Sequence, residues 1–203
     1  MLHNYLAREL INLLAARKGH FRLESGHHGN LWIDLDLLFL RPDRLQPFAA
    51  ELAKRLSTHS IEAVCGPMVG GALLAQMVAS ELEVEFYYAE RIAPQPGNAL
   101  YSAKYRLPEA LRRNVRGKAV AILDDVINAG SAVRGTFADL QACGARPVTL
   151  GALLVLGSSA STFAAENNLA LESIACLDND LWAPSECPLC AAHMPLENTG
   201  DFR

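Results

Sequence analysis

Apolar positions recur along this chain with a helical period in some stretches and as short unbroken runs in others, and the two kinds of segment alternate. Leu6, Leu10, Leu13 and Leu14 share one helical face within Leu2 to Arg17, a helix that Gly19 would end. His20 to Leu23 and Leu31 to Leu35 read as a hairpin around Ser25-Gly26-His27-His28-Gly29-Asn30. Pro42 suits the first turn of a second helix running to about Leu56. Ile61 to Cys65 predicts a short buried strand, Gly66 to Gly71 its loop, Ala72 to Leu82 a helix and Val84 to Tyr88 another strand. Val120 to Leu123, Arg146 to Leu156 and Leu169 to Ala175 are further strands, with helices expected from Ser131 and over Ser159 to Asn167. Such alternation predicts an α/β fold with a mainly parallel central sheet flanked by helices.

Two segments break the pattern. Arg91 to Ser102 holds two prolines, Gly97 and Asn98 with no apolar period, and Lys104 follows at its far end. A long loop inside a compact domain is the kind that carries function. From Leu177 the chain holds Trp182, three prolines and two cysteines, and reads as an irregular appendage. The expected division is a domain over 1–176 and a Cys-containing appendage over 177–203.

At 203 residues, 51% hydrophobic and 20% charged, the chain can bury a full core. A net charge of −4 argues against a nucleic-acid partner held by bulk positive charge. No apolar run reaches membrane-spanning length, and Met1-Leu2-His3-Asn4-Tyr5 lacks a signal-peptide layout, so the expected address is the cytoplasm. Five scattered cysteines read as reduced thiols.

The most informative stretch is Val120 to Ala132. Four apolar residues run into Asp124 and Asp125, then Val126-Ile127-Asn128-Ala129-Gly130, and a helical pattern opens at Ser131. Backbone N–H groups at a helix start can face a phosphate, and glycine lets the chain approach it. The two carboxylates would repel phosphate; they suit ribose hydroxyls, or Mg2+ held through water. Asp-Asp alone reads as a solvated turn, but the thirteen-residue pattern resembles the phosphoribosyl pyrophosphate (PRPP) motif of type I phosphoribosyltransferases. Within that family "DDVINAGSAVR" is most similar to the orotate branch, where threonine is more usual at the position of Asn128.

The resemblance implies a type I phosphoribosyltransferase fold, with an N-terminal hood over about 1–36, and Mg2+-dependent exchange between PRPP and a nitrogenous base. It implies a homodimer as well. Asp124 and Asp125 would hold the ribose hydroxyls, and Asn128 to Ala132 the 5′-phosphate. The loop Gly66-Pro67-Met68-Val69-Gly70 matches the family's pyrophosphate loop, with a cis bond before Pro67 as one way to turn its N–H groups to an anion. Arg91 to Lys104 would form a lid whose cation, Arg91 or Lys104, stabilises the leaving pyrophosphate, and Lys104, Arg91 and Asp125 are the catalytic candidates that the resemblance implies. Ser25-Gly26 match the family's hairpin, which puts Ser25, Trp32 and Asn128 at the base; packing within the hairpin is the other reading of Trp32.

Two departures bear on the base. The family's lid pattern of Arg-Lys-x-x-Lys-x-His-Gly is here Glu90-Arg91-Ile92-Ala93-Pro94-Gln95-Pro96-Gly97, without the usual lysine. The arginine that meets orotate's carboxylate falls at Gly157-Ser158-Ser159, where nothing is basic. A PRPP-binding regulator without transfer, or a transferase for a purine or other base, are therefore the alternatives. In the tail, Cys187-x-x-Cys190 with His193 supplies three zinc ligands of the four required; Cys65, Cys176 or His27 could add a fourth, but no spacing designates one, and a plain packed tail is the expectation. His27-His28 reads as a solvated turn.

Overall fold

The computed structural model describes residues 2–34, 36–92 and 103–197. The chain begins with α1 (Leu2–Leu13), the hairpin strands β1 (Ala15–Arg22) and β2 (His28–Asp34), α2 (Asp36–Phe39) and α3 (Pro42–Leu56). Next come β3 (Ala63–Pro67), α4 (Gly70–Leu82), β4 (Glu85–Ile92), β5 (Lys104–Arg106) and α5 (Glu109–Arg112). The sequence continues through β6 (Ala119–Ile127), α6 (Ser131–Ala142), β7 (Arg146–Leu156), α7 (Ser159–Glu166) and β8 (Ala170–Leu177). It closes with β9 (Leu181–Trp182) and α8 (Pro188–Ala191).

A six-stranded sheet runs in the order β5-β4-β3-β6-β7-β8. Its strands are parallel except β5, which returns antiparallel to β4. Alternate residues of β6 explain why its apolar run is unbroken: Ala121 and Leu123 enter one core with Leu45, Leu52 and Leu74, while Val120 and Ile122 enter the other with Val133, Phe137 and Leu140. A strand buried on both faces needs apolar residues at every position. The expected α/β architecture with a mainly parallel sheet is the one observed.

Several boundaries move. The first helix stops at Leu13 and the chain from Ala15 is already strand, because β1 pairs with β2 as far back as Ala15 opposite Asp34. β3 extends through Pro67, whose neighbour Ala89 lies on β4, and the cis peptide joins Met68 to Val69 instead of preceding Pro67. β6 continues past both aspartates to Ile127, held by β7. Residues 93–102, most of the expected lid, lie outside the described residues. The lid's two ends are joined, since Lys104 is the register partner of Ile92.

The hairpin belongs to a second, three-stranded sheet, in which β9 pairs with β2 at His28 and Gly29. Further along, Glu197 bridges to Phe21, and its N–H donates to the His20 carbonyl at 2.7 Å. The tail therefore runs along the hairpin on both sides.

Candidate active site

Strand order turns outward in both directions from the β3–β6 pair, which makes its carboxyl end the switch point where open α/β sheets bind ligands. β3 and β6 pair only as far as Cys65 opposite Ile122; beyond that β3 follows β4 and β6 follows β7. The strands diverge, and a cavity of about 310 Å³ opens between them.

Its walls bring together Ser25, Pro67, Met68, Val69, Gly70, Asp124, Asp125, Val126, Asn128, Ala129, Gly130, Ser131 and Ala132 from the sequence expectation, and add Leu23, Glu24, Gly71 and Tyr105. Gly66 and Ile127 stand behind the wall, Gly66 within β3 against the backbone of Gly71 and Ile127 in the core. A side chain on Gly70 would meet the Asp125 carboxylate, and one on Gly71 would stand 2.6 Å from Asp124 Oδ1. The glycine loop and the acid pair are thus one fitted unit. Gly130 takes φ +80° as the residue before α6, a left-handed conformation that turns the chain from the aspartates into the helix.

Asp124 is buried, and that burial, followed by the neighbouring Asp125 charge, holds its carboxyl well above the usual carboxylate range. Its Oδ1 accepts the Asp125 N–H at 3.1 Å, while Asp125 Oδ1 accepts the Val126 N–H at 2.8 Å. Glu24, a residue that motif reading passed over, links the hairpin to this floor. Its carboxylate accepts the Tyr105 hydroxyl at 2.9 Å and the Ser131 hydroxyl at 3.0 Å, and pairs with Arg91 Nε at 2.9 Å. Burial and the Glu24 charge push the Tyr105 phenol up, so it stays a donor. Only its place just before Ser25-Gly26 could have flagged Glu24; nothing in sequence marks Tyr105 beyond its closeness to the lid.

Arg91, Lys104 and Trp32 do not line the cavity, although Arg91 meets its wall through Glu24. Arg91 lines a neighbouring pocket with Arg106 and Glu109, and Lys104 is exposed on β5. Trp32 packs beside Phe21, with ring centroids 6.1 Å apart, and does not line the cavity. Asn128 accepts the Asn179 amide at 2.9 Å. At Gly157-Ser158-Ser159 the Ser159 hydroxyl donates to the Ala129 carbonyl at 2.8 Å, bracing the motif loop. His28 is buried instead of solvated, and His27 is half-buried against Ser25.

A family model described as phosphoribosyl transferase domain matches residues 44–183. An orotate phosphoribosyltransferase of Thermotoga maritima is 31% identical over 189 residues, covering 92% of each chain. One of Caldanaerobacter subterraneus subsp. tengcongensis is 28% identical over 186 residues, covering 90% of this chain and 89% of its own. Among solved structures, orotate phosphoribosyltransferase from Aeropyrum pernix matches with a TM-score of 0.61 at 24% identity, over 87% of this chain and 94% of its own. Adenine phosphoribosyl transferase from Trypanosoma brucei matches with a TM-score of 0.66 at 19% identity, over 98% and 87%. These two likenesses show a shared fold. With the domain model spanning most of the sheet and both walls of the cavity, the chain belongs to the phosphoribosyltransferase family.

Proposed function

We propose that the chain transfers a phosphoribosyl group between PRPP and a nitrogenous base, orotate or an orotate-like heterocycle, to give a nucleoside 5′-monophosphate and pyrophosphate. The observation that carries this is the union, at the β3–β6 switch point, of the glycine loop, the acid pair and the N-terminus of α6 in one cavity. Asp124 and Asp125 address the ribose hydroxyls. Asn128 to Ala132 receive the 5′-phosphate through backbone N–H groups and the Ser131 hydroxyl, and Pro67 to Gly70 receive the pyrophosphate, with Gly66 left out because it is packed behind the wall. Ser25 and Asn128 face the base. Trp32 is left out, because it packs within the hairpin.

Charge supports a divalent cation. Three carboxylates, Glu24, Asp124 and Asp125, line the cavity, and no lysine or arginine does among the described residues. Glu24 is paired with Arg91, so the crowding that a cation would offset is that of Asp125 beside Asp124. Asp124 and Asp125 would hold Mg2+ through water, and the ion would supply charge neutralisation on the diphosphate. Lys104 and Arg91, on the paired strands β5 and β4, stabilise the leaving group. Catalysis is positioning and charge stabilisation, with no protein nucleophile. The protein works as a homodimer, with residues 1–176 as the transferase and 177–203 appended to its hood.

The base is the open half. The relatives above are orotate phosphoribosyltransferases by name. Yet Gly157-Ser158-Ser159 offers no guanidinium to a base carboxylate, which favours a base without one as the second reading. Pyrophosphate release from Mg-PRPP, assayed with orotate and then with each common base, is the test. Release with orotate supports the first reading and release with another base alone supports the second. PRPP binding without release on any base overturns transfer and leaves a regulator.

A further inference from the structure

Outside the cavity, four side chains from two distant parts of the chain converge: His20 and His28 of the hairpin, and Cys187 and Cys190 of the tail. One nitrogen or sulfur from each lies within 4.8 Å of all the others. We infer that these residues form a tetrahedral structural zinc site that fastens the C-terminal tail to the hairpin.

The distances carry the inference. With Zn–S of about 2.3 Å and Zn–N of about 2.05 Å, a tetrahedron has edges of about 3.5 Å between S and N and about 3.3 Å between N and N. Cys187 Sγ lies 3.4 Å from His20 Nε2, Cys190 Sγ 3.7 Å from His20 Nε2 and 3.2 Å from His28 Nδ1, and the two nitrogens are 3.0 Å apart. Four of the six edges thus match a zinc coordination shell to within about 0.3 Å, and the other two, Cys187 to His28 and Cys187 to Cys190, are at most 4.8 Å.

The second nitrogen of His20 supports the same assignment. Nδ1 lies 2.9 Å from the Met194 carbonyl, a pairing in which it donates its proton and leaves the Nε2 lone pair facing the cluster. Metal-bound histidines are oriented in this way, by a carbonyl on the far nitrogen. Burial fits as well: His20 is 1%, Cys187 4% and His28 7% exposed. Two thiols lose their protons to solvent on binding, so two thiolates, two neutral imidazoles and Zn2+ sum to zero charge, which a buried site accepts. Four protein ligands leave no open position, so the role is structural.

The ligand set differs from the one the tail's spacing would supply. His193 is exposed, and neither Cys65, in the sheet core, nor Cys176, exposed on β8, nor His27 belongs to the cluster. β9 on β2 and Glu197 against Phe21 flank the site on either side, so the ion would close a tail already laid along the hairpin. The same hairpin carries Leu23, Glu24 and Ser25 to the cavity wall. The site thus braces the hood that borders the substrate.

The test is zinc content of the untagged full-length chain, purified under reduction and dialysed against buffer without chelator. The expected result is one zinc per chain, falling to background in Cys187→Ser/Cys190→Ser and in His28→Ala. To separate loss of metal from loss of fold in these variants, cobalt(II) is also loaded into the unaltered protein after zinc is stripped. Tetrahedral d–d bands with sulfur-to-cobalt charge transfer from two thiolates support the site, and an octahedral spectrum overturns it. Substoichiometric zinc, zinc retained by the cysteine variant, or a Cys187–Cys190 disulfide in the reduced protein each overturns it too. Hydrogen exchange on zinc removal should rise over 15–34 and 181–197 and stay unchanged in β6 and β7; unchanged exchange throughout overturns the bracing role.

Discussion

The cavity and the histidine–cysteine cluster are built on opposite plans. The cavity takes its floor from two short stretches of chain, Pro67 to Gly71 and Asp124 to Ala132 (Ile127 turning into the core), and is open and lined by three carboxylates. The cluster takes its four groups from positions 20, 28, 187 and 190, buries three of them with Cys190 half-buried, and would balance to neutrality around a divalent ion. In the cavity burial and the neighbouring Asp125 charge bear on Asp124; in the cluster four donor atoms lie within 4.8 Å of one another. A site that must release its ligand stays open and strained in charge, whereas one that must keep its ligand surrounds it.

Replacing both aspartates gives the largest separation between the two regions. Asp124→Asn with Asp125→Asn should weaken Mg-PRPP binding by roughly 100-fold, the loss of two charge-assisted contacts at about 1.5–3 kcal/mol each taken at its low end. Zinc content should not change. Unaltered affinity by calorimetry would remove the acids from the ribose site, and lost zinc would mean the two regions are not independent.

Stability against pH sharpens the contrast from the other side. Asp124 holds its proton more tightly in the folded chain than in the unfolded one. Its contribution is therefore full below the usual carboxylate range and is lost as pH rises through its elevated value. Asp124→Asn should flatten that decline in the ligand-free protein and, at neutral pH, raise Tm by roughly 2–4 °C, the shift that about 1 kcal/mol makes in a chain of this size. Calorimetric melts of both proteins across pH measure it; parallel curves would show that the buried carboxyl carries no penalty.

The smallest effect is expected where the regions meet. Glu24 rides on the zinc-braced hairpin, and its carboxylate accepts the Ser131 hydroxyl that the 5′-phosphate would otherwise engage. Glu24→Gln removes a negative charge from the cradle and should tighten Mg-PRPP binding by about 2–5-fold, the worth of a partly exposed charge interaction. Weaker binding would make Glu24 a positioning group for Ser131 instead of a competitor of the phosphate.

Residues that are neighbours in the chain were readable, and so were features that depend only on local periodicity. The unbroken run Val120 to Leu123 announced a strand buried on both faces, and the acids, Gly130 and Ser131 after it announced a phosphate-ester loop feeding a helix. The glycine loop reads as turning N–H groups toward an anion, and the partners for which Gly70 and Gly71 make room, the carboxylates of Asp125 and Asp124, emerge only when β3 and β6 lie side by side. Trp32 reads equally as a base contact or a packing residue, because a half-buried aromatic on a hairpin has the same sequence signature in both roles.

Sequence alone determined the alternation of helices and strands and the mainly parallel sheet, since each rests on a pattern repeated within a few residues; the phosphate-loop expectation came from the thirteen-residue resemblance. Tertiary structure decided that β3 and β6 part beyond Cys65 and Ile122 to open the cavity, that Glu24 and Tyr105 enter its wall, and that His20 and His28 meet Cys187 and Cys190. Pairings across as many as 170 positions carry no local trace, because the chain between them is free to close the loop in many ways and only the packed hairpin and tail choose one.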